Sequence, residues 1–243
     1  MGLKNFVLDS LGFMGFDLTL RKRAEFLKDI KNSYVLDVGC GSNAYLSFLM
    51  SRHGNRVLGI DRDESAIKSA RGRSAGKGRA EFRVMSVKNL NSLGEKLDCV
   101  VCMEVIEHIK DDEKLLRDLC SLLKKGGLLL LSTVNKDSWF SKSYPDSISK
   151  EEDGGHVRLG YGKKELEEKL KRNGFAVEQS ASCIGVITQR VLALEYRLRK
   201  PKPLAYNTVF RAFVFPFLYS ITLFDSSRNK PEDLTLVVRA RKK

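Results

Sequence analysis

Residues Val35–Asn43 read VLDVGCGSN, and the fold is decided there. A short β-branched, apolar run, Tyr34–Val38, leads into paired glycines, and Ala44–Arg52 resumes with helical spacing. A glycine turn between a strand and a helix is the context a nucleotide-binding loop needs. Gly39 and Gly41 allow a tight turn and let a ligand approach the backbone. Asp37 ends the strand, where a carboxylate can meet a cationic or hydroxyl-bearing ligand. Arg56–Ile60 reads as a second strand followed by Asp61, 24 residues after Asp37. An acid at that place and distance binds ribose hydroxyls. The third glycine of the dinucleotide pattern is absent, with Asn43 near its place, which weakens a nicotinamide reading. A turn without a ligand is the alternative for the loop. A helix N-cap is the alternative for an acid after strand two, and that role suits Asp63.

Outward from this motif the pattern repeats. Helical Glu64–Ala70 is followed by strands Glu81–Met85 and Leu97–Met103. Asp111–Leu123 has leucines at helical period, Gly126 and Gly127 should stop it, and Leu128–Val134 is the most apolar strand. Continuous apolar strands between helices predict a mostly parallel sheet covered on both faces, a doubly wound α/β domain with its ligand crevice at the carboxyl ends of the strands. Asn135–Arg158 is polar and reads as a long loop or lid. Helix Lys163–Arg172, strand Phe175–Ile184 and a seventh strand at Leu234–Ala240 complete the domain. The expected organisation is an N-terminal helical segment over the cofactor mouth (1–33), a core (34–184 and 232–243) and an insert (185–231).

The ordered motifs VLDVGCGSN, LGIDRDESAI, LDCVVCMEVIEHI (Leu97–Ile109), KKGGLLLLSTVN (Lys124–Asn135), HVRLGYGKKELEEKLKRNGF (His156–Phe175) and DLTLVVRARKK resemble those of class I S-adenosylmethionine-dependent methyltransferases. The group they are most similar to includes the ubiquinone-biosynthesis O-methyltransferases. The resemblance implies a seven-stranded Rossmann-like fold and S-adenosylmethionine as cofactor. It implies a cofactor site made of Asp37, Gly39, Cys40, Gly41, Asp61, Arg62, Met85, Ser86, Met103 and Glu104. Relatives often carry an acid after strand three for the adenine amino group. Ser86 occupies that place here, and a hydroxyl can still accept a hydrogen bond.

Glu104, Glu107 and His108 stand at i, i+3 and i+4 after the fourth strand, so a helical turn would present them on one face. Two carboxylates and an imidazole suit a divalent cation such as Mg, with His156 as fourth ligand from the lid. Similar EVxEH segments hold a metal in ubiquinone-pathway and small-RNA O-methyltransferases, and in other relatives they shape the cofactor pocket without one. Without metal, His108 or His156 is the expected general base, since an imidazole titrates near neutral pH.

The acceptor is less legible. Val209–Phe224 reads VFRAFVFPFLYSITLF, with six aromatic rings in 16 residues, and Val186–Lys243 carries 12 basic and 4 acidic residues. Such a stretch suits an anionic membrane surface or a cover over a greasy acceptor. Packing on the sheet or between subunits is the alternative. Leu11–Phe16 with Leu18, Leu20, Phe26, Leu27 and Ile30 reads as an amphipathic helix lining the same mouth. The expected activity is methylation of O or C on a small hydrophobic or lipid-linked acceptor. An RNA methyltransferase is the alternative, resting on a formal charge of +13 and the basic run Arg71–Arg79. Intact Asp37, Gly39, Gly41 and Asp61 argue against a non-catalytic assembly protein.

Composition sets further bounds. At 243 residues and 42% hydrophobic content the chain can bury a core. Five cysteines are sparse and odd for a disulfide scaffold, which points to a reducing compartment. Cys99 and Cys102 lack a second pair at zinc-finger spacing. Asp9 and Asp17 interrupt any signal peptide, Gly2 lacks the myristoylation pattern, and no apolar run reaches 18 residues. The expected location is cytoplasmic, with peripheral contact at the inner face of the membrane.

Overall fold

A computed structural model describes residues 19–74, 80–143, 148–149, 151–152, 154–199, 217–218, 220–225 and 229–243. Seven strands form one sheet: β1 (Tyr34–Val38), β2 (Arg56–Asp61), β3 (Ala80–Val84), β4 (Leu97–Met103), β5 (Leu123–Val134), β6 (Phe175–Cys183) and β7 (Thr235–Lys242). Their order is β3-β2-β1-β4-β5-β7-β6. The first five pair in parallel, and β7 runs antiparallel between β5 and β6. The helices are α1 (Leu20–Ala24), α2 (Tyr45–Arg52), α3 (Glu64–Ser74), α4 (Asp112–Leu122), α5 (Trp139–Ser143), α6 (Lys163–Arg172) and α7 (Val186–Arg199).

The apolar strands are explained by two cores. Leu36, Val38, Leu58, Ile60, Val100, Cys102, Leu129 and Leu131 belong to one. Their alternating neighbours Val35, Val57, Cys99, Val101, Leu128 and Leu130 belong to the other. With both faces of the sheet buried, period-two alternation vanishes from the sequence. Ala24, Leu27 and Ile30 join the second core, so the described part of the N-terminal segment packs on the sheet. Leu11–Phe16 and Leu18 lie outside the described residues.

Three boundaries differ from the expectation. Gly126 and Gly127 do not stop a helix. α4 ends at Leu122, and the glycines lie inside β5, where the pairing with β4 shifts register and Gly126 takes a φ of 71°. A glycine in that left-handed region is what such a bulge requires. α3 continues to Ser74, so the first part of the basic run is helical, while residues 75–79 lie outside the described set. The expected insert begins with a 14-residue helix, α7, for which the sequence pattern gives no clear signal. Gln189 anchors it by donating to the carbonyls of Ile184 and Glu232.

One ionic network fixes the return from the lid. Asp112, almost fully buried, accepts hydrogen bonds from Arg158, from Tyr161 Oη at 2.6 Å and from Lys169 Nζ at 3.0 Å. Burial alone would raise its pKa, but the bonds from Tyr161 and Lys169 and the charge of Arg158 outweigh it and hold the carboxyl below its ordinary value. A depressed carboxylate stabilises the fold above the unfolded pKa of about 4, and the contribution is lost as pH falls through the folded value. Asp112→Asn is expected to lower unfolding free energy near neutral pH by on the order of 2 kcal/mol and to flatten the acid limb. Urea titrations from neutral pH downwards check this, and parallel acid limbs for the two proteins would refute it.

Candidate functional site

The sheet order brings the carboxyl ends of β3, β2, β1 and β4 side by side, and the site is built on them. After β1 the chain turns through Gly39 (φ 73°) and Gly41 (φ 66°). The N–H groups of Gly39 and Cys40 donate to the Ile60 carbonyl at 2.8 and 3.0 Å, which holds the loop against β2. A Cβ on Gly39 would stand 2.6 Å from Val105 Cγ2, so glycine is required there for space as well as for φ.

Asp61 ties this loop to the next. Its Oδ2 accepts from Gly41 N–H and its Oδ1 from Asp63 N–H, both at 3.0 Å. Asp63 caps α3, its Oδ1 accepting from the N–H groups of Ser65 and Ala66. The two acids after β2 therefore divide the roles of site and cap.

A cavity of about 340 Å³ opens over these strand ends. Of the expected site residues, Gly39, Asp61, Arg62, Met85, Ser86, Glu104 and His108 line it. Ser86 also caps a turn of 3₁₀ helix, its hydroxyl accepting from Lys88 N–H at 3.3 Å. Cys40 and Gly41 belong to the loop but are not part of the lining, and Met103 is buried in the second core. Asp37 departs most from expectation. It is 2% exposed and accepts a hydrogen bond from Ser47 of α2, so it lies under the loop and not on the cavity wall. Burial pushes its pKa up to about 7; the Ser47 bond opposes the shift and the charge of Asp61 adds to it.

The helical turn expected to align Glu104, Glu107 and His108 does not form. Glu104 takes a φ of 55°, and only Ile106–His108 make a turn of 3₁₀ helix. Glu104 faces the cavity and accepts from Ser132 Oγ at 2.7 Å. Glu107 points inward, fully buried. Its Oε2 accepts from Thr133 Oγ1 at 3.1 Å, and its Oε1 meets no donor among the described residues. Burial, then the charge of Glu104, pushes its pKa well up. His156 arrives from the lid with its ring 4.7 Å from that of His108, edge to face. Glu107, His108 and His156 bring ligand atoms within 4.8 Å of one another, so three of the four expected metal residues converge and Glu104 stands apart. Burial and His108 lower the pKa of His156, which keeps it neutral near pH 7.

The lid supplies residues that sequence spacing did not reveal. Glu152 and Gly154 line the cavity, together with Val87, Lys88, Val105 and Ile109. Arg62 donates to the Glu152 carbonyl at 2.7 Å, Lys88 pairs with its carboxylate at 2.6 Å, and Lys110 N–H donates to Oε1 at 2.8 Å. His108 Nδ1 lies 3.0 Å from the Gly155 carbonyl, and Val157 N–H donates to Glu107 O at 2.9 Å.

A family model described as a methyltransferase domain matches residues 16–180. A ubiquinone biosynthesis O-methyltransferase of Coxiella burnetii (strain Dugway 5J108-111) is 32% identical over 109 residues, which are 44% of this chain and 46% of that protein. The same-named protein of Xanthomonas axonopodis pv. citri (strain 306) is 43% identical over 104 residues, 42% of this chain and 43% of its own. The chain thus spans about half the length of the curated relatives it matches. Among solved structures, the N-methyltransferase NodS of Bradyrhizobium japonicum WM9, in complex with S-adenosyl-l-homocysteine, superposes with a TM-score of 0.57 at 17% identity, covering 97% of this chain and 90% of that one. That likeness concerns the fold.

The buried Asp37 has a consequence for stability. A carboxyl whose folded pKa is raised favours the fold while protonated, and that contribution is lost as pH rises from about 4 through about 7. Asp37→Asn, with no ligand added, is expected to remove this part of the pH slope. Urea unfolding at about pH 5 and pH 8 measures it. An unchanged slope would show that Asp37 is already ionised in the fold.

Proposed function

Because the chain belongs to the methyltransferase-domain family, we propose that it transfers the methyl group of S-adenosylmethionine to a hydroxyl of a hydrophobic small molecule. The observation that carries the choice of oxygen is the Glu107–His108–His156 cluster, which adjoins the cavity through His108. The names of the ubiquinone O-methyltransferase relatives support the same choice.

In this reading Asp61 takes the ribose hydroxyls through lone pairs left free by its two backbone bonds. The glycine loop meets the amino-acid tail, with Glu104 facing the ammonium, and the base lies towards Met85 and Ser86. Asp37 acts from beneath by holding α2 to the loop through Ser47. The acceptor oxygen attacks the methyl carbon, the carbon–sulfur bond breaks, and the sulfur keeps the electron pair. The donor is already activated, so positioning supplies most of the acceleration. The hydroxyl proton leaves to an imidazole, with His156 neutral and available.

The cluster also fits a divalent cation, because Glu107 Oε1, which meets no donor among the described residues, and two imidazoles form a suitable donor set. Glu107, His108 and His156 would hold it. A bound ion there would supply polarisation of an acceptor hydroxyl and so lower its pKa.

Exposed side chains support a greasy acceptor drawn from a lipid surface. Phe217 and Phe224 are 68% and 79% exposed, and Leu194 and Leu223 are also exposed. Among the described residues no helix is long and apolar enough to cross a membrane. Phe210, Phe213, Phe215 and Tyr219 lie outside the described residues, as do the side chains of Arg197 and Arg199. The RNA alternative finds less support. Arg71, which opens the basic run, is used within the fold, donating twice to the Phe82 carbonyl.

Methyl-labelled S-adenosylmethionine incubated with phenolic lipids, and separately with RNA, tests the reading. Label is expected in the phenolic fraction. Asp61→Ala is expected to weaken cofactor binding by about tenfold or more, as loss of hydrogen bonds to a charged group implies. His156→Ala is expected to reduce turnover about a hundredfold with cofactor affinity kept. Label recovered in RNA alone would replace this function with the alternative.

A further inference from the structure

The order of strand ends fixes the order of ligand parts. With β3-β2-β1-β4 side by side, a nucleoside whose ribose lies at Asp61 and whose tail lies between Gly39 and Glu104 must place its base at the end of β3. That end is walled by Met85, Ser86, Val87 and Lys88. An adenine ring presents an exocyclic amine, a hydrogen-bond donor, so the wall needs an acceptor. Ser86 offers a hydroxyl that already receives Lys88 N–H.

Three carboxylates line the cavity: Asp61, Glu104 and Glu152. Asp61 is set at β2 by its two backbone bonds, and Glu104 is set at β4 by Ser132. Glu152 alone stands with the β3 end, because its carboxylate is paired with Lys88 at 2.6 Å. Its side chain is 15% exposed, Lys110 N–H donates to its Oε1, and Arg62 holds its backbone carbonyl. Two donors occupy that carboxylate, and an ionised carboxylate has about four acceptor sites.

We propose that Glu152, delivered by the lid, reads the base of the bound nucleoside by accepting a hydrogen bond from the adenine amine. The acid absent after strand three is thereby supplied from a segment about 65 residues further along the chain, counted from Ser86. This rests on the placement of the ribose at Asp61. It also joins cofactor recognition to lid position, because the same residue bridges Lys88, Lys110 and Arg62.

Calorimetric titration of the full chain with S-adenosylhomocysteine and with S-inosylhomocysteine, whose base carries an oxygen in place of the amine, tests it. The wild type is expected to prefer the adenosyl compound by about tenfold or more. Glu152→Gln, whose amide can donate to that oxygen, and Glu152→Ala are both expected to narrow the preference to within about threefold. Retained binding of the inosyl compound in either variant shows that it is folded. Equal weakening of both ligands in the Glu152 variants would reduce Glu152 to a lid latch and overturn the proposal. A wild type that binds neither compound would instead remove the cofactor reading beneath it. A wild type that binds both, with affinity indifferent to Asp61→Ala, would remove the ribose placement.

Discussion

The Asp61 carboxylate receives one backbone N–H from the glycine loop and another from the turn into α3. Gly39 and Gly41, at positive φ, carry no side chain to pack, so the glycine loop is held through its backbone N–H groups. Hydrogen bonds to an ionised acceptor are stronger than those between neutral groups. One side chain therefore indexes the end of β2 to the end of β1 and sets the width of the cavity between them. The Ile60 carbonyl acts with it, taking the N–H groups of Gly39 and Cys40. Val105, packed where a Cβ on Gly39 would stand, brings the β4 end against the same loop.

Two buried carboxyls show what this arrangement asks of the fold. Asp37 and Glu107 are both shielded from water, and in both burial is the largest influence on the carboxyl. Their surroundings differ. Asp37 has Ser47 as its hydrogen-bond partner and works within the scaffold. Glu107 keeps one oxygen without a donor among the described residues, beside two imidazoles. An unsatisfied buried oxygen destabilises a fold by about 1–3 kcal/mol, so a ligand that meets it recovers that stability on binding. The contrast separates a buried acid satisfied within the scaffold from one that is only half satisfied there, which neither residue's place in the sequence reveals.

The cofactor half of the molecule was legible because its signals are local. Strand, glycine turn, helix and Asp61 fall within one short stretch, and each feature restricts the next. Lys163–Arg172 and Leu97–Met103 were placed to the residue for the same reason, with strong period and clear ends. What escaped was non-local. No spacing rule links Glu152 to Ser86, and none shows that Asp37 turns under the loop to Ser47. The i, i+3, i+4 pattern of Glu104, Glu107 and His108 suggested one helical face, but the left-handed backbone at Glu104 sends that side chain to the cavity and Glu107 into the core. The Gly126-Gly127 pair misled in the opposite direction, since glycines that end a helix and glycines that build a β-bulge look alike in sequence.

Beyond the cavity wall, the fold joins pieces distant in the chain. Lys22 of α1 donates to the Asp225 carbonyl, Asp225 accepts from Thr188 N–H in α7, and Gln189 of α7 accepts from Phe140 N–H in α5. Asn135 at the end of β5 donates to Pro231 and Asp233 as the chain returns to β7. These contacts gather α1, α5, α7 and residues 220–225 at one end of the sheet. A cofactor common to a family needs one constant cradle, and short motifs suffice to encode it. An acceptor peculiar to one enzyme needs a surface that can vary without disturbing that cradle. Each of these bonds pairs one side chain with one backbone group, so Lys22, Asn135, Gln189 and Asp225 fix the junction, while other side chains on the same segments can change with the strand ends beneath staying fixed.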